Sequence, residues 1–197
     1  MAVACVLEPA DSDALLAGAL ARDLDRSFEQ VVIAYRVRIV SFVARMLRDD
    51  ARAEDVAQDV FVRAYRALQT YPAERRAALH LRSWLFAIAH NVTRNAFRDA
   101  PPASAPLEHE DGAPRVELTD PQAGPEQLVL REEAWASVGE AIGRLSPALR
   151  AAFIMRYIDD LSYDEIAESL DQPVGTVKAS AHRGLMAVRA RLEKNDE

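Results

Sequence analysis

SYDEIAESLDQPVGTVK, from Ser162 to Lys178, holds the signals that decide the fold. Ser162 and Glu165 stand three apart at the start of an apolar run, the spacing of a capping box. The hydroxyl accepts a first-turn N–H while the carboxylate reaches back to the N–H of the cap. The helix started there is short and runs through Leu170. Asp171-Gln172-Pro173 breaks it, since proline lacks an N–H and keeps its predecessor out of the helical region. A last helix begins near Val174 and runs to about Leu192, with Val177, Ala181, Gly184 and Val188 in one stripe and Leu185 beside them. Two helices joined by a tight turn, the second basic, form a helix-turn-helix pattern.

Outward from that motif, the periodicity stays helical. Pro147 suits the first turn of a helix over Ala148 to Ile158. Before it, Glu126 to Leu145 places Leu130, Trp135, Val138, Ile142 and Leu145 on one side. In the N-terminal half, Asp11 to Arg22 is rich in alanine and leucine. Ser27 is the expected cap of a helix carrying Phe28, Val32, Tyr35, Ile39, Val43 and Met46, ending at Asp49-Asp50. Ala53 to Leu68 repeats the pattern with Val56, Val60 and Tyr65, and with Phe61 and Ala64 at its side. Thr70-Tyr71-Pro72 is a break, and Leu81, Trp84, Leu85, Ile88, Val92 and Ala96 line a further helix to about Phe97. No segment reads as a strand, so the expected fold class is all-α.

Between the halves the composition changes. Asp99 to Pro125 holds six prolines and six acids against one arginine, too little apolar area to offset the entropy of ordering. It is read as a flexible acidic linker. The expected domains are therefore 11–98 and 126–192, joined by 99–125, with the second domain a helix-turn-helix unit.

Charge is distributed against its own total. The 197-residue chain carries a net charge of -7, yet Arg75 to Arg98 has five arginines and no acid. Gln172 to Leu192 is also free of acids and holds Lys178, Arg183, Arg189 and Arg191. Binding to polyanions follows local field rather than net charge, so two basic surfaces point to DNA held at two places. On the last helix, Thr176 and Ser180 are candidates for base edges, and Lys178 and Arg183 for phosphates. On the earlier helix, Arg82 precedes Trp84, and His90, Arg94 and Arg98 follow one side. Tyr71 and Trp84 are candidates to stack on unpaired bases, although Trp84 is in register with the core stripe. Asp55 and Asp59 share a helix face with Gln58, either as a solvated acidic face or as a dock for a basic protein.

Several classes are excluded. No run approaches the roughly 18 apolar residues of a membrane span, and the N-terminus lacks the basic start of a secretory signal. Cys5 is the only cysteine, and His80, His90, His109 and His182 are scattered outside any ligand spacing. No nucleotide loop or nucleophile elbow occurs. The expectation is a cytoplasmic protein with no catalysis, no metal and no cofactor.

With both halves read, the sequence resembles the small extracytoplasmic-function sigma factors of bacterial RNA polymerase, within the sigma-70 family. In the C-terminal half the resemblance is carried by Leu145, Pro147, Arg150, Phe153, Tyr157, the run Leu161 to Ala167, Leu170, Pro173, and Gly175 to Lys178 with His182-Arg183. In the N-terminal half it is carried by Glu54 to Phe61, Ala64-Tyr65, Trp84-Leu85, Ile88-Ala89, Asn91 and Arg98. It spans Leu15 to Leu192 apart from the linker. It implies a factor that binds core polymerase at clamp and flap, recognises promoters, melts DNA locally and starts transcription. Asp55, Gln58, Asp59 and Phe61 resemble the clamp-binding helix. Tyr71, Arg75, Arg76, His80, Arg82, His90, Asn91, Arg94 and Arg98 fall in the part that resembles the single-strand -10 contact. Thr176, Lys178, Ser180 and Arg183 align with the reader of duplex -35 DNA. An anti-sigma partner is also implied, and membrane insertion is not. Two positions depart from the family pattern: Ser180 replaces a usual arginine, and Asn95 a frequent aspartate. The rival readings are a helix-turn-helix regulator that confers no polymerase specificity, and a helical adaptor that binds no DNA.

Overall fold

Two aspartates, each just outside a helix, set the frame of the first half. The computed structural model describes residues 9–98 and 135–195. Helix α1 spans Pro9–Arg22 and α2 spans Leu24–Leu47. The cap of α2 is Asp23, whose carboxylate accepts the Arg26 N–H at 3.2 Å. Ser27, expected as the cap, is instead buried one turn inside the helix. Arg48 ends α2 in the left-handed region at φ 57°, so the helix stops before Asp49-Asp50. Those acids open the next helix, α3 (Asp50–Thr70), where Asp49 accepts the Arg52 N–H at 3.1 Å. A carboxylate is favourable at the positive end of a helix and unfavourable at its C-terminus, which accounts for the shift. Pro72 precedes a five-residue helix, α4 (Ala73–Ala77), between the Thr70-Tyr71-Pro72 break and the helix expected from Leu81. Helix α5 runs over Leu81–Arg98.

Val31, Ile39 and Phe42 of α2, Val60, Ala64 and Leu68 of α3, and Leu81, Leu85 and Phe86 of α5 form the fully buried centre. Phe42 meets Phe86 edge to face at 5.4 Å. Each of these side chains larger than alanine stabilises the fold by about 1.5–3 kcal/mol through burial.

The second half opens with a helix, α6, described over 135–143. It continues with α7 (Pro147–Tyr157), α8 (Tyr163–Leu170) and α9 (Val174–Asn195). Pro147 occupies the first turn of α7. The capping box is formed in both directions: the Ser162 hydroxyl accepts the Glu165 N–H at 3.2 Å, and Glu165 accepts the Ser162 N–H at 2.8 Å. Val177, Ala181 and Val188 are buried as the stripe predicted. At Gly184 an added Cβ would lie 3.2 Å from Phe153 Cβ, so the missing side chain lets α9 approach α7 closely.

All regular structure among the described residues is helical, arranged as two helical domains. The expected linker, 99–125, lies outside the described residues, as does 126–134 of the helix expected to follow it. The domains pack on each other along two seams, α2 against α7 and α5 against α8. Their apolar residues form one continuous cluster. Arg150 ties the first seam. It is 6% exposed and donates to the carbonyls of Met46 at 2.7 Å, Leu145 at 3.0 Å, Ile142 at 3.3 Å and Gly143. One guanidinium thus satisfies carbonyls at the ends of both α2 and α6, groups that a helix leaves unpaired.

Candidate nucleic-acid and polymerase interfaces

Helix α9 presents Thr176, Lys178, His182 and Arg183 to solvent, with Ala179 between them. Ser180 is on the other side, 7% exposed. It lies three residues after Val177 and four before Gly184, both buried, so the 3.6-residue period carries it into the core edge. Three of the four expected -35 residues are therefore exposed and Ser180 is not; Thr176 and Arg183, seven apart, share one side of the helix, and Lys178 stands at the opposite edge of the exposed surface. Arg183 Nε donates to the Ala179 carbonyl at 3.3 Å, leaving its other nitrogens outward. Lys178 Nζ sits 5.5 Å from the Tyr163 ring, which places it beside the start of α8.

The second basic surface follows α4 and α5. Arg75, His80, Asn91, Arg94 and Arg98 are exposed, while Tyr71, Arg76, Arg82 and His90 are half-buried. Trp84 is partly buried and tilts against Tyr71 at 6.1 Å. The Arg75 guanidinium lies over the Tyr71 ring at 3.7 Å, so these side chains already form a stacked group. Arg76 turns inward and donates to the Leu68 carbonyl at 3.4 Å, closing the end of α3. Burial, and then Arg94, lower the pKa of His90 below its usual value. At neutral pH the ring is an uncharged polar group.

Arg82 is held across the seam to α8. Its Nε and Nη2 donate to the two Glu165 oxygens, each at 2.8 Å. Ser83 Oγ donates to Glu168 at 2.6 Å, and His80 Nδ1 lies 3.2 Å from the same oxygen. Burial by itself would raise the Glu165 pKa, but hydrogen bonds from Ser162 and Arg82 outweigh it and hold the carboxyl below its usual range. A cleft of about 390 Å³ opens here, lined by Asp13, Leu79, His80, Arg82, Ser83 and Glu165 among others.

On α3, Asp55 and Gln58 are exposed and Asp59 is half-buried beside them. Asp59 accepts from Arg63 at 2.9 Å, so part of its charge is answered within the helix. Phe61 is 8% exposed and belongs to the core, apart from the other three. Sequence reading missed Ile33 and Val37 on α2, both 72% exposed, near the Arg36–Glu54 pair that links α2 to α3. The available signal was their phase: they stand four apart, out of step with Val31, Tyr35 and Ile39.

Among the described residues there is no cluster suited to a metal ion, and no helix is long and apolar enough to cross a membrane. Two family descriptions match in order, Sigma-70 region 2 over residues 31–101 and Sigma-70 region 4 over 135–188. The RNA polymerase sigma-H factor of Pseudomonas aeruginosa is 30% identical, over 93% of this chain and 95% of its own length. The chain belongs to the extracytoplasmic-function subfamily of sigma-70 RNA polymerase sigma factors. The sigma factor is also 32% identical to the ECF RNA polymerase sigma factor SigW of Bacillus subtilis, over 84% of this chain and 89% of that one. Its fold is similar to that of CnrH, solved in complex with the cytosolic domain of CnrY, at a TM-score of 0.66 and 23% identity, covering 93% of this chain and 99% of that chain. As a sigma factor it directs RNA polymerase to promoters and is not itself an enzyme.

Proposed function

We propose that the sigma factor grips promoter DNA at two places and docks on core polymerase with both halves. Residues 126–192 act as a helix-turn-helix unit whose α9 enters the major groove of the -35 element. Thr176 faces base edges, while Lys178 and Arg183 hold phosphates. Ser180 supports this face from within. Residues 11–98 act on the -10 element: Arg75, His80, Arg82, His90, Asn91, Arg94 and Arg98 follow an opened strand, and Tyr71 offers a stacking ring. Arg76 holds α4 against the end of α3. The exposed, acid-free faces of α5 and α9 carry the reading. No nucleotide-hydrolysis motif is present in the sequence, so binding to the exposed strand together with polymerase drives local melting, which costs a few kcal/mol per flipped base.

Asp55, Gln58 and Asp59 form the clamp-facing surface, with Phe61 fixing the helix from the core. The polymerase flap takes the second domain. Residues 99–125 serve as an acidic connector, which raises the effective concentration of each DNA contact for the other. An anti-sigma factor is a further partner. CnrH was solved with the cytosolic domain of CnrY, and RpoE of Bartonella quintana with the anti-sigma factor NepR.

Reconstitution with core polymerase and a promoter library tests this reading. Specific start sites are expected, and Lys178→Ala with Arg183→Ala should lower the salt slope of DNA binding by about two, one for each phosphate contact removed. An unchanged slope would remove α9 from the DNA interface.

A further inference from the structure

We propose that α8 serves as an internal stand-in for nucleic acid, with Glu165 and Glu168 occupying the Arg82, Ser83 and His80 corner of the -10 surface in a self-closed state. The inference rests on the -10 reading of that surface. The Arg82 side chain is 14% exposed and that of Glu165 is 25% exposed. A guanidinium fork engaged by two carboxylate oxygens has the same planar, bidentate geometry that it uses for phosphate. Glu168 adds a second acidic group, taking the Ser83 hydroxyl and facing His80. Ser169 Oγ donates to the Ser83 carbonyl at 2.9 Å and fixes the register of α8 on α5. Three polar groups at the start of the α5 track are thus engaged by an acidic helix of the other domain.

A DNA strand that used Arg82 and His80 would compete with α8 for the same donors. Closure and strand binding are then coupled through one equilibrium, and each must weaken the other by the same factor. Glu165 has a second role in the capping box of α8. The competing carboxylate is therefore held in place by its own helix, at no further ordering cost when the seam closes. The chain would be closed when alone and would open where a polymerase-bound strand displaces α8.

Glu165→Gln/Glu168→Gln tests this in the full chain. Glutamine keeps the capping-box acceptor, and Glu168→Gln alone, outside that box, guards against a folding defect. Spin labels at Arg66→Cys on α3 and Met186→Cys on α9, in a Cys5→Ser background, report the separation of the domains. A fluorescein-labelled oligo(dT) reports single-strand binding. The double variant should bind oligo(dT) about 5-fold or more tightly, the lower end of ordinary site coupling, and its labels should move apart. The single variant should shift both readouts in the same direction. Adding oligo(dT) to the wild type should also separate the labels. Unchanged affinity and unchanged distances would overturn the stand-in; if the Arg82→Ala holoenzyme still initiates poorly, the -10 reading survives. Separation without tighter binding would also overturn it, and normal initiation by Arg82→Ala would then place the failure in the -10 reading itself.

Discussion

The carboxyl of Asp159 lies in the turn after α7, buried, and its Oδ2 has no hydrogen-bond partner. Burial raises its pKa to about 7, against the lowering pull of Arg45, Arg38 and Arg82 from the facing domain. An acid whose folded pKa is raised binds its proton more tightly in the folded state. Its contribution to stability is complete below the unfolded carboxylate range and is lost as pH rises toward 7. Urea unfolding at about pH 5 and about pH 8 should show this loss, on the order of 3 kcal/mol at most, at about 1.4 kcal/mol per pKa unit. Asp159→Asn should flatten that part of the profile. Arg150 is the other residue whose loss should be severe. Arg150→Ala leaves several buried carbonyls unpaired and should cost about 3–5 kcal/mol in denaturant unfolding. Sequence reading placed Arg150 in the family pattern, but spacing gave no hint of its task. Its acceptors are carbonyls, which every residue has, and one belongs to the other domain.

Helix α8 shows what local chemistry can and cannot disclose. Its capping box was legible because both partners lie within four residues of each other and form the same bonds in any context. Ser162→Ala should cost about 1 kcal/mol, read by thermal unfolding. Helix α4 was not legible: at five residues it has no room for a period. On α2 the predicted stripe found Tyr35, Ile39, Val43 and Met46, yet its last two turns are buried nearly all round, including Ser41, Phe42, Ala44 and Leu47. A stripe assumes one covered face, whereas here α7 covers a second. On the site itself, the exposed basic track of α5 was legible from the absence of acids. The inward turn of Ser180 could have been read from its place between Val177 and Gly184; its polarity drew it to the wrong face.

At the scale of the whole molecule, the expectation of two helical domains held, and the two share one apolar core. Arg82 and Glu165 are 83 positions apart in the chain, and nothing local to either announces the other. A continuous apolar cluster predicts joint unfolding. The two tryptophans sit one in each domain, Trp84 on α5 and Trp135 on α6, so Trp84→Phe and Trp135→Phe each leave a reporter for one half. Their melting curves should coincide, and two separated transitions would show the halves to be independent. The all-round burial of the end of α2 also bears on synthesis. A ribosome that has released residues 1–98 has made α2 but not α7, so the side of α2 that α7 will cover is bare in the nascent chain. That strip must wait for the second half to emerge, which makes the first domain a client for chaperones during translation rather than a unit that finishes folding alone.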